Sequence, residues 1–235
     1  MPGIRAGGRA RRAGRADLSG PGRVAPVAGG LRALHRQVLA SFAGSGHPPE
    51  RDLLEAAAAR HGRTAAGVLA DLHADDFIQL DEAGAIRAAY PFSAVPMPHV
   101  VQISGGPRVH AMCAIDALGM AAMLGSAVTI TSTDTRTGQP VIVTVTKNGT
   151  TATWEPATTV VFDGCLASCA DGPAMPSAQV SCGFMNFFAT TASAAAWAAA
   201  HPEVTGKMLG QKAALRLGGE IFGPLLADQR EAALG

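Results

Sequence analysis

The 235-residue chain is poor in several things, and each shortage excludes something. Four cysteines are too few for a disulfide framework at this length. No apolar run approaches the ~20 residues of a membrane span; the longest candidate, residues 111–124, is interrupted by Asp116. Aromatic residues make up only 5%, with a single tyrosine, yet 48% of the residues are hydrophobic, enough for a packed core rather than a disordered chain. No GK[ST] follows Gly105-Gly106, so that pair is not a phosphate loop, and no GxSxG elbow marks a serine hydrolase. Asn148-Gly149-Thr150 fits a glycosylation sequon but is better read as a hairpin turn.

Charge is scarce too, and unevenly placed. Six of the nineteen basic residues fall in positions 1–30, against Asp17 alone of the eighteen acidic ones. The remaining thirteen basic and seventeen acidic residues leave a body of net charge −4. Such a body does not suit a surface that tracks phosphates. The Arg-rich stretch has no apolar segment of the secretory kind. Residues 1–30 therefore read as a disordered extension outside the fold, or as the product of an upstream start codon.

From Leu31 onward the pattern is globular. Leu31, Leu34, Val38, Leu39 and Phe42 recur at helical spacing until Gly44-Ser45-Gly46. A second helix carries Leu53, Leu54, Ala57 and Ala58, and a third follows Thr64 as its cap. Residues 77–80 and 85–89, joined by a turn at Asp81–Gly84, read as a hairpin. Three helices and a hairpin make a winged-helix order over residues 31–90. Its third helix offers one arginine against Asp71, Asp75 and the following Asp76, the wrong balance for a recognition helix. A scaffold role, with no nucleic acid bound, is the better reading.

Residues 90–98 hold three prolines and read as a connector. The rest, 91–235, alternates between short strands (100–103, 128–131, 141–146, 151–154, 158–162) and helices assigned to 109–124, 194–200 capped by Ser193, and 207–222. An apolar strand is assigned within 181–190. Hairpin-linked strands with helices in blocks indicate an α+β fold with an antiparallel sheet.

Candidate chemistry centres on the cysteines. Cys113 stands three residues before Asp116 in an otherwise apolar helix, and an aspartate there is costly unless something uses it. Each residue alone also has an ordinary reading, a small buried hydrophobe for the cysteine and a satisfied polar contact for the aspartate. Cys182 is followed by Gly183, which leaves its sulfur uncrowded. Cys165 and Cys169 lie in a glycine-flanked stretch read as a loop, without the spacing of a zinc ribbon.

Taken in order, Cys113-Ala-Ile-Asp116, Thr137-Gly-Gln-Pro-Val141, Glu155-Pro156, Cys182 with Asn186-Phe-Phe-Ala189, Trp197, His201 and Gly218-Gly-Glu-Ile-Phe222 resemble the alkylmercury lyases of bacterial mercury resistance. The resemblance spans residues 31–226. It implies a winged-helix-like domain packed on an α+β catalytic domain, and a functional trio at Cys113, Asp116 and Cys182. It departs from the family at Met112, where an aromatic residue is usual, and near Asp134, where some members carry a structural cysteine. The stretch with Cys165 and Cys169 also looks longer than in the family.

What the resemblance implies is protonolysis of a carbon–mercury bond in the cytoplasm, without a cofactor. Organomercurial would be the substrate, held by Cys113, Cys182 and Asp116; small thiols or a mercuric reductase would receive Hg(II). The rival reading is a non-catalytic mercury- or metal-binding sensor on the same scaffold. Such a protein needs the thiols but not Asp116.

Overall fold

The computed structural model describes residues 23–167 and 175–227. The N-terminal part has three helices, α1 (Leu31–Ser45), α2 (Arg51–Ala59) and α3 (Ala65–Ala74), then the hairpin β1 (Ile78–Leu80) and β2 (Ile86–Ala89). Thr64 caps α3 as the sequence indicates, its Oγ1 accepting from Gly67 N at 3.2 Å.

The hairpin does not stand apart. Within the proline-rich connector, β3 (Phe92–Ser93) pairs with β2 on one side and with β5 (Arg108–Ala111) on the other. With β4 (His99–Ile103), β6 (Val128–Thr133), β7 (Pro140–Val145) and β8 (Ala152–Glu155) these strands form one antiparallel sheet of eight, in the order β1-β2-β3-β5-β4-β6-β7-β8. A smaller antiparallel sheet has the order β10-β9-β11, from β9 (Val160–Leu166), β10 (Asn186–Phe188) and β11 (Val204–Leu209). Helix α4 (Ala114–Leu124) lies against β4, β5 and β6, and α7 (Gln211–Phe222) packs on α4. Short α5 (Ser177–Val180) and α6 (Thr191–Ala200) flank β10. One apolar core runs from Ala25 to Leu226 through both halves. The α+β architecture expected from the sequence is the one observed.

Several boundaries differ from the sequence reading. The helix assigned to 109–124 is a strand followed by a shorter helix: residues 108–111 pair with 102–99 of β4 and alternate in burial, so their period is two. The long apolar helix behind them masked that alternation. Likewise the helix assigned to 207–222 is strand β11, then Gly210, then α7. Helix α6 is capped by Thr190, whose Oγ1 accepts from Ser193 N; Ser193 itself is buried and donates to Asp134 Oδ1 at 3.0 Å. Cys165 is on β9, opposite Thr205 of β11, rather than in a loop. Cys169 lies outside the described residues. The segment 23–30 also differs from an extension outside the fold, since Ala25 is fully buried and its carbonyl accepts from Arg32 Nε at 2.7 Å.

Two glycines set how closely α4 and α7 approach. A Cβ on Gly119 would lie 2.5 Å from Gly218 O, and one on Gly218 would lie 2.8 Å from Ile115 O. No side chain fits between these backbones. Nine of the eleven positions of α4 are buried, so the helix has no polar face at all.

Candidate active site

Cys113 is not within the helix but immediately before it. It is the N-cap of α4, in extended conformation, and its Sγ accepts from Asp116 N at 3.4 Å. A sulfur takes the place that a Ser or Asp oxygen usually fills. The CxxD spacing is therefore a capping geometry. It sets the thiol and the first-turn carboxyl side by side at the positive end of the helix.

Cys182 comes from elsewhere. It sits in a single 3-10 turn, Cys182–Phe184, between α5 and β10. Asn186 Nδ2 donates to Gly183 O at 2.9 Å and closes that turn. Met185 joins the two halves, because its carbonyl accepts from Ala114 N at 2.9 Å while its Sδ lies 3.8 Å from Cys113 Sγ. Cys113 and Cys182, sixty-nine positions apart, thus converge on one small pocket with Asp116, Met185, Ser177 and Arg23. Cys113 is 1% exposed, Cys182 6% and Asp116 5%.

The electrostatics follow from that burial. Asp116 is pushed up to about 7, chiefly because desolvation penalises its charge; the guanidinium of Arg23 and the Cys113 thiol pull the other way, and Asp76 adds to the rise. Among the described residues its Oδ2 has no hydrogen-bond partner. Burial also raises the Cys113 thiol, helped by the facing Cys182 thiol and by the Asp116 carboxyl, against the Asp116 amide that favours thiolate. A carboxyl titrating near neutrality beside a protonated thiol is suited to moving protons.

Four residues of this site carry no motif in the sequence. Arg23 donates from Nη1 to Asp76 O at 2.6 Å and from Nη2 to Ser177 Oγ, with Asp76 Oδ2 3.5 Å away, and its guanidinium carbon lies 3.9 Å above the Tyr90 ring. Asp76 Oδ2 accepts from Ser177 N at 3.0 Å and from Ser177 Oγ at 2.6 Å. Tyr90 O–H donates to Asp76 Oδ1 and accepts from Ala178 N at 3.0 Å. Burial, with the Cys182 and Asp76 charges, raises the Tyr90 hydroxyl far above its usual range and keeps it a donor. Asp76 has a positive φ, +59°, alone among the described non-glycine residues.

Other residues of the resemblance have structural places. Trp197 stacks on His201 at 4.1 Å and meets Phe162 and Phe188, forming a second small core away from the pocket. Asp134 is buried and binds four donors: Arg136 N, Thr137 N and Ser193 Oγ on Oδ1, and Ala189 N on Oδ2. Burial opposes its charge, but these bonds outweigh it and hold the carboxyl below the usual range. A carboxylate here ties the 134–138 turn to the end of β10. Cys165 is half-buried on β9 and does not line the pocket.

Comparison with known proteins bears on the family and the fold. The alkylmercury lyase family model matches residues 92–223. An alkylmercury lyase of Pseudomonas putida is 31% identical over 184 residues, covering 78% of this chain and 80% of the relative. One from Staphylococcus epidermidis is 30% identical over 171 residues, 72% and 73% of the two chains. The mercury-bound form of MerB2 superposes with a TM-score of 0.60 at 24% identity, covering 83% of this chain and 98% of that one, which speaks to the fold. The chain belongs to the alkylmercury lyase family.

Proposed function

We propose that this protein cleaves carbon–mercury bonds by protonolysis, with Cys113 and Cys182 holding mercury and Asp116 carrying the proton. One observation supports the assignment above all: two buried thiols and a carboxyl with one oxygen unpartnered among the described residues line the same pocket. Hg(II) is a very soft ion and prefers thiolate to nitrogen or oxygen ligands.

The steps balance without a change of oxidation state. One thiol replaces the leaving ligand X of R–Hg–X, and its proton departs with X. The second sulfur joins the metal and gives its proton to the Asp116 carboxylate. Two thiolates push electron density onto mercury and weaken its bond to carbon. Asp116 then donates its proton to that carbon, and the electron pair of the C–Hg bond becomes the new C–H bond. The products are R–H and Hg(II) held by two cysteines. External thiols exchange the ion out and return protons to the cysteines, after which a mercuric reductase is a suitable recipient. Free cysteines and thiol-dependent release suit a reducing cytoplasm. Residues 31–90 serve as a winged-helix-like scaffold and 91–235 as the catalytic unit.

The test is incubation with phenylmercury and excess thiol, with benzene measured in the headspace. Catalytic benzene release is expected. Stoichiometric retention of phenylmercury without benzene would leave a binding protein instead.

A further inference from the structure

The site has a second support that lies wholly outside the trio. Helix α5 is a single turn, and its first amide groups have no partners within the helix. They are met from the N-terminal half of the chain: Ser177 N by Asp76 Oδ2, and Ala178 N by the Tyr90 hydroxyl. Arg23 locks this arrangement. Its fork spans Asp76 O and Ser177 Oγ, and its flat face covers Tyr90, so one side chain fastens both of the groups that cap α5. Two residues after α5 comes Cys182.

We infer that Arg23 is a positioning residue for Cys182: with Asp76 and Tyr90 it clamps α5, and through α5 it sets the distance between the two sulfurs. The inference rests on the reading of Cys113 and Cys182 as the mercury-holding pair. The segment around Arg23 is thereby part of the working site. Arginine is required by geometry, because a lysine nitrogen is one point and cannot span the Asp76 carbonyl and the Ser177 hydroxyl while lying flat on a ring. A displacement of about 1 Å at a reacting group is enough to cost on the order of a hundredfold in rate.

The experiment uses the full chain with Arg23→Ala, Arg23→Lys and Ser177→Ala. Each is examined for melting temperature, benzene release, and alkylation of Cys113 and Cys182 by iodoacetamide in urea, with and without one equivalent of mercuric chloride added beforehand to the folded protein, read by peptide mass spectrometry. In the unaltered protein mercury should protect both cysteines. Arg23→Ala is expected to lower kcat/KM about a hundredfold and to leave Cys182 open to alkylation while Cys113 stays protected. Arg23→Lys should melt close to the unaltered protein yet recover only part of the rate and of the protection. Ser177→Ala should show the same selective loss at Cys182, more weakly, and decides the matter if Arg23→Ala does not fold. Unchanged rate and protection of both cysteines in the folded variants would overturn the role of Arg23. Full recovery of both by lysine would do so too, since charge alone would then suffice. If mercury fails to protect the pair even in the unaltered protein, the site reading fails first and takes this inference with it.

Discussion

The two sulfurs of the pocket are held in opposite ways. Cys113 is fixed locally, as the cap of the helix that also carries Asp116, and four consecutive positions define its geometry. Cys182 sits in a 3-10 turn whose placement depends on Asn186, Met185 and, through α5, on residues as distant in sequence as Asp76 and Arg23. The helix end is a rigid part of the core. The turn is assembled from side-chain bonds between segments. A catalytic pair with one anchored and one assembled member can be adjusted from one side while the helix end that carries the other keeps its backbone geometry, although the charges of Arg23 and Asp76 still reach the Asp116 carboxyl.

Removing either sulfur should abolish the difference between the sides along with the activity. Cys113→Ala and Cys182→Ala are both expected to reduce benzene release to background, because a single thiolate cannot activate the bond. Substantial turnover by either variant would break the shared-mercury geometry.

Asp116→Asn tests the anchored side alone. Asparagine keeps the shape but cannot deliver a proton, so hydrocarbon release should slow at least ~100-fold, the scale for losing a general acid. The organomercury adduct should accumulate and be visible by mass spectrometry. Rapid hydrocarbon release from this variant would return Asp116 to a structural role.

The same carboxyl should leave a mark on stability. Its pKa is raised by burial from 3.8 to about 7 in the folded protein, so the folded state holds a proton that the unfolded chain releases. Its contribution is greatest below about pH 4 and is lost as pH rises through about 7. Relative to Asp116→Asn, the unaltered protein should therefore lose melting temperature between pH 5 and pH 7.5. Parallel pH curves for the two proteins would refute the shift.

On the assembled side, Asp134→Ala should cost about 1–3 kcal/mol, since it strands buried donors at Ala189 and Ser193 that steady the strand after Cys182. Chemical denaturation measures it directly; a loss below about 0.5 kcal/mol, the size of an ordinary surface change, would mean water replaces the carboxylate without penalty. The smallest effect is expected from joint replacement of Cys165 and Cys169 by serine. Cys165 does not line the pocket, so benzene release should stay within about threefold, the scale of a surface change. A tenfold loss would bring these cysteines into the reaction.

How legible the molecule is in its sequence follows the same division. The helices α1 to α3, the Thr64 cap and the β1–β2 hairpin rest on contacts between near neighbours, and period and caps display them. So does Cys113 with Asp116, although the cysteine caps the helix rather than lying inside it. Residues 108–111 and 204–209 do not read as strands on their own, because their strand character depends on pairing with β4 and β9 while helix-like apolar residues follow directly. Cys182 stands out in the sequence only as a cysteine followed by glycine, and its pairing with Cys113 and Asp116 comes through the motif shared with a family. Arg23 was hidden by company: among six arginines in thirty residues, nothing local separates the one that folds inward. Asp76 looked like one more acid at a helix end, and its role appears only when Ser177, 101 positions later, is brought to it.

The glycine contact between α4 and α7 bears on how the two walls of the pocket are held. With backbone against backbone at Gly119 and Gly218, α4 has no slack to tilt or slide, and the wall carrying Cys113 and Asp116 is effectively immovable. The opposite wall, α5 and the turn behind it, is held instead by hydrogen bonds between side chains and single amide groups. The carboxyl and the thiol beside it are thereby kept in fixed register with each other, and with the backbone of the neighbouring helix.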